Sequence, residues 1–135
     1  MRARGLLILG AILAAAACGP AAVQDPMQKS ARRCGIQILG VQLMADGDVA
    51  RLNYRVVDYD KAKVALRKSV HLYEGDRSRP LPVMATGRLG PLTQRPTRDG
   101  RPQFMIFTNP GRALVRGGRA ALTIGEVRIE GIPVS

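Results

Sequence analysis

The stretch Ala50-Arg51-Leu52-Asn53-Tyr54-Arg55-Val56 alternates without exception between apolar and polar side chains. A period of two fits a pleated strand with one face buried and the other wet. It assigns Leu52, Tyr54 and Val56 to a core and turns Arg51 and Arg55 towards solvent. Such a strand needs neighbours, and the residues before it supply one. Asp46-Gly47 is a strong hairpin signal. Upstream of it, Ile36 and Ile38 share one parity and Val41 and Leu43 the other, with Gly40 between them. A change of phase at a glycine is what a β-bulge produces.

Strand character recurs in short pieces. Asp60 to Lys68 carries Ala62, Ala65 and Leu66 at helical spacing, with Asp60 as a possible cap, and predicts one or two helical turns. Val70 to Tyr73 is a strand, Glu74-Gly75-Asp76 a turn, and Leu81 to Met84 a short strand between prolines. The stretch 85–102 holds Pro91, Pro96 and Pro102 and reads as a long irregular connection. Gln103 to Thr108 is a short run with an apolar centre, expected to be buried on both faces or nearly so, with Phe104 and Ile106 in the core. Leu122 and Ile124 join them from the last strands, where Gly125 shifts the phase to Val127 and Ile129. About seven short strands with at most one short helix favour an all-β fold, a sandwich or small barrel, with an immunoglobulin-like β-sandwich first. The disulfide-and-Trp signature of antibody domains is absent. The closing stretch LVRGGRAALTIGEVRIEG resembles the last hairpin of bacterial immunoglobulin-like accessory domains.

The N-terminus has a separate character. Arg2 and Arg4 precede an apolar run from Leu6 to Ala17, too short to cross a bilayer as a helix. Residues 1–17 therefore read as a signal peptide. Ala15-x-Ala17 fits ordinary signal peptidase, whereas Ala15-Ala16-Ala17-Cys18 resembles the lipobox of bacterial lipoproteins. That resemblance implies that Cys18 becomes the mature N-terminus and carries lipid, and Gly19 after it implies outer-membrane sorting where the host has an outer membrane. Ala15 stands where the family usually has Leu. Simple secretion, and an uncleaved N-terminal anchor, remain the alternatives. Residues 18–33, polar and proline-containing, read as a flexible tether, and residues 34–135 as the β-sandwich domain.

Of the 21 basic residues, removing Arg2 and Arg4 leaves 19 against 10 acidic ones, a net charge of +9. An exported basic domain meets anionic membrane surfaces, envelope polymers or envelope proteins. With five aromatic rings and no Trp it lacks the stacking surface of a nucleic-acid binder. Arg77, Arg79, Arg88, Arg95, Arg98 and Arg101 crowd into 25 residues, with Asp99 the one acid inside that span after Asp76. Guanidinium groups bind phosphate and carboxylate in bidentate fashion, so these six are the candidate anion contacts. Charge that merely keeps exposed loops soluble explains the same pattern. The glycine loops at Arg116–Arg119 and Gly87–Gly90 lack the following helix of a P-loop.

No catalytic set is evident: His71 and Cys34 come without a nucleophile elbow or an orienting base. If Cys18 is not acylated, it and Cys34 form a possible disulfide. Met44, Met84, Met105, His71 and Cys34 are soft ligands of the kind that select copper(I), but no Met-x-x-Met or Cys-x-x-Cys pair occurs. The sequence thus predicts an exported, lipid-anchored envelope protein on the periplasmic side, acting as a non-catalytic binding or accessory module without a cofactor. Periplasmic copper handling through Met, His and Cys is the alternative.

Overall fold

The computed structural model describes residues 25–75, 79–86, 90–91 and 95–135. In chain order they form α1 (Pro26–Arg33), β1 (Ile36–Met44), β2 (Val49–Val56), α2 (Tyr59–Ala65), β3 (Val70–Glu74), the two-residue β4 (Ala85–Thr86) and β5 (Gly90–Pro91), β6 (Pro102–Thr108), β7 (Arg119–Ile124) and β8 (Val127–Pro133). The hairpin at Asp46-Gly47 forms as its sequence demands, with Ala45, Asp46 and Gly47 all at positive φ. The β1–β2 ladder slips between Ile38 and Gly40, and Gly40 sits at φ 134°, so the phase change at that glycine is a bulge.

Among the described residues, six strands make two antiparallel sheets, in the orders β1-β2-β6 and β3-β7-β8, and the two-residue β4 and β5 pair with each other. This is the small all-β sandwich that the alternation predicts, with six strands rather than about seven. The missing one is Leu81–Met84. It makes isolated bridges to Leu72 and Phe107 instead of a ladder, because Pro80 and Pro82 bring no N–H donors. Those bridges still matter. Leu81 N–H donates to the Leu72 carbonyl, and Met84 N–H to the Ile106 carbonyl, tying the free edge of β3 to that of β6. On the other side Val41 bridges Val134, and Leu43 N–H and Ser135 N–H donate to the Ser135 and Val41 carbonyls. Both pairs of sheet edges are therefore stitched, which covers backbone groups that an open edge would expose. Gly125 does not shift the phase within a strand. It lies in the turn between β7 and β8 at φ 58°.

Among the described residues two α-helices form where at most one was expected, and the expected tether is corrected over its second half. Asp25 accepts a hydrogen bond from Met27 N–H and Pro26 occupies the first turn, so α1 starts cleanly. Ala31 is fully buried, and the Gln28 amide donates to the Ile38 carbonyl (2.7 Å) and accepts from Ile38 N–H (3.0 Å). One side chain thus stands in for a neighbouring strand on the edge of β1. The packed domain therefore includes α1 as well as the residues from Cys34 onward. The stripe that docks α1 is short, built on Met27 and the small Ala31, and so is hard to see in a polar segment. Gly35 follows at φ 73°. A Cβ there would collide with the backbone of Asp58 and Ala62, so the end of α1 abuts the start of α2. Asp58 rather than Asp60 caps α2, accepting from Lys61 N–H.

Leu52, Tyr54, Val56, Leu122 and Ile124 are buried as expected. In β6 the expected register is reversed. Gln103, Met105 and Phe107 face the core, while Phe104 and Ile106 lie half-buried on the outer face. The Arg51 guanidinium lies 4.5 Å from the centre of the Phe104 ring, so Arg51, like Arg55, is half-buried on that outer face rather than free in solvent.

Candidate functional site

Helical spacing sets the site. Ala62 and Ala65 turn one side of α2 to the core. Tyr59 and Lys63 line the cleft from α2, and Arg67, two residues past the end of the helix, continues their four-residue spacing. Opposite them the chain at Arg95-Pro96 completes a cleft of about 540 Å³. Its floor is hydrocarbon: Leu66 after α2, Val70 at the start of β3, Val83 from the bridging segment and Met105 from β6. Its rim is cationic, from Lys63, Arg67 and Arg95, and among the described residues lining it there is no carboxylate.

The reversed register of β6 is what holds Arg95 there. Gln103 points inward and is buried. Its amide nitrogen donates to the Arg95 carbonyl, and its oxygen accepts from Thr97 N–H. A buried amide with both ends used anchors an otherwise irregular connection. Next along, the Arg98 guanidinium stacks 4.0 Å from the centre of the Tyr59 ring, adding a further cation beside the cleft. Asp99 shapes the turn between them. It accepts from the Thr97 hydroxyl and from Arg101 N–H, and these bonds, with the nearby Arg101 charge, hold its carboxyl below the usual range.

Of the six candidate arginines, the structure brings Arg95 and Arg98 together at this cleft. Arg101 is exposed and lies 3.7 Å from the Asp99 carboxylate. Arg79 lies apart, in a separate cleft with Glu74, Pro80 and Pro110. Arg77, Arg88 and the lipidation candidate Cys18 lie outside the described residues. Sequence reasoning missed Lys63 and Arg67. Their signal was present in the four-residue spacing from Tyr59 along the expected helix.

Of the soft-ligand candidates, Met105 is in the cleft floor, Met84 is half-buried with its N–H on the Ile106 carbonyl, Met44 is exposed at the end of β1, His71 is exposed on β3, and Cys34 is buried in the core. Burial raises the Cys34 thiol pKa, against the opposing charges of Arg33 and Lys68. Among the described residues no group of three His, Cys, Asp or Glu side chains is placed to hold a metal ion, and no helix is long and apolar enough to cross a membrane. No family model, curated protein or solved structure significantly matches the chain.

Proposed function

We propose that this chain is an exported, lipid-anchored protein of the cell envelope, a non-catalytic binding module that takes an anionic partner at the cleft beside α2. The observation that carries the reading is the convergence of Lys63, Arg67 and Arg95 on one concave site without a carboxylate among its described lining residues. Three cations held near one another concentrate positive potential and favour a bound phosphate or carboxylate. Support for export and anchoring comes from the basic start, the short apolar run and Ala15-Ala16-Ala17-Cys18. Two or three acyl chains at Cys18 give stable attachment where one does not. The span from Cys18 to Asp25 reaches at most roughly 25 Å, which keeps the domain near the headgroups.

The test has two parts. Full-length chain expressed in a bacterial host is expected in the detergent phase, with the added mass of a diacylglycerol or more, and Cys18→Ala is expected without it. Recovery of unmodified Cys18 in the soluble periplasmic fraction contradicts the anchor. The exported Cys18→Ala protein is expected to bind vesicles containing phosphatidylglycerol, with affinity that falls as salt rises and drops in the double variant Lys63→Ala/Arg67→Ala. Binding that ignores both salt and these two residues contradicts the cleft as the anion site.

A further inference from the structure

The floor of the cleft is built for more than a bare ion. Met105 is only 3 % exposed and continues into the core, and Leu66, Val70 and Val83 pack against that core from the cleft side. An inorganic anion satisfies the cationic rim and leaves this hydrocarbon wet. A flat layer of headgroups meets the rim without reaching a concave floor. A cleft of about 540 Å³ is in the size range of sites that enclose a single small molecule. A ligand that satisfies both parts has an anionic head for Lys63, Arg67 and Arg95 and a hydrocarbon chain for the floor.

We infer that the cleft takes one molecule of a single-chain anionic amphiphile, its phosphate or carboxylate head at the Lys63–Arg67–Arg95 rim and its chain over Val83 and Met105. This rests on the anion-binding reading above and narrows it to a ligand class.

The experiment uses the full chain carrying Cys18→Ala, exported and labelled with carbon-13 at its methionine methyls. It is titrated separately with dodecyl phosphate below its micelle concentration, inorganic phosphate and the neutral dodecyl maltoside. Dodecyl phosphate is expected to bind one to one and to shift the Met105 methyl, while the Met44 methyl, at the end of β1, stays in place. Inorganic phosphate and dodecyl maltoside are each expected to bind at least about tenfold more weakly, since each satisfies one half of the site. Val83→Thr, near in shape and confirmed as folded by its thermal melt, weakens dodecyl phosphate and leaves inorganic phosphate unchanged. Lys63→Ala/Arg67→Ala weakens both. Inorganic phosphate binding as tightly as dodecyl phosphate, with Met105 silent, overturns the amphiphile and leaves the anion reading standing. Equal binding of dodecyl phosphate and dodecyl maltoside overturns the role of the head. Binding of neither phosphate sinks both readings together.

Discussion

In β2 a slip of one residue would bury Arg51 and Arg55, whereas in β6 the same slip exchanges Met105 and Phe107 for Phe104 and Ile106. The two strands are neighbours in one sheet, yet only the first carries its register in its own residues. Burying a charge without a partner costs several kcal/mol, so β2 has one acceptable face. For β6 the decision falls to its surroundings. Gln103 finds its two partners only by pointing inward to Arg95 and Thr97, and Phe104 finds the Arg51 guanidinium only by pointing outward. A strand that is apolar on both faces takes its orientation from the few polar bonds it completes.

The sharpest way to break this comparison is to shorten each phenylalanine of β6. Phe107→Ala should cost about 4 kcal/mol in urea unfolding, as for a fully buried ring. Phe104→Ala should cost about 1 kcal/mol, the scale of a half-exposed ring and one cation–π contact. A larger loss at Phe104 would mean that the strand faces the other way.

Alkaline titration probes β2 next. Burial pushes the Tyr54 hydroxyl up to about 12, against an ordinary value near 10. Its folded pKa is raised, so its contribution is fully present below about pH 10 and is lost as pH rises towards 12. Stability should fall by roughly 3 kcal/mol across that window, and Tyr54→Phe should flatten much of the fall. An unchanged slope in Tyr54→Phe would place the phenol in water rather than in the core.

Gln103→Leu should cost about 1–2 kcal/mol of stability, because two backbone groups lose their partner. Its effect on anion affinity should exceed its effect on folding, since the chain carrying Arg95 is no longer held at the cleft. A variant that unfolds earlier but binds vesicles normally would separate the amide from the site.

These contrasts mark what was legible. The Ala50–Val56 alternation, the Asp46-Gly47 hairpin and the Gly40 bulge were written in local patterns, and the structure follows them. The face of β6, the docking of α1 and the edge bridges were not, because each depends on a distant partner: Gln103 with Thr97, Gln28 with Ile38, Val41 with Val134. The cleft was half legible for the same reason. The arginine-rich connection pointed to Arg95 and Arg98, but its counterpart in Lys63 and Arg67 stands some thirty residues earlier, on and just after a helix expected from Ala62, Ala65 and Leu66. Clustering in sequence selected six arginines, and folding gathers two of them with two cations from elsewhere.

That selectivity is what distinguishes a binding site from a charged surface, and one paired measurement tests it. Arg95→Ala and Arg101→Ala remove the same charge from the same connection, one at the cleft rim and one exposed beside Asp99. Binding of each exported Cys18→Ala protein to phosphatidylglycerol vesicles, compared at one low salt concentration, should fall about tenfold or more for Arg95→Ala and change less than about twofold for Arg101→Ala. Equal losses would show that net charge alone draws the protein to anions, and the cleft beside α2 would not be its binding site.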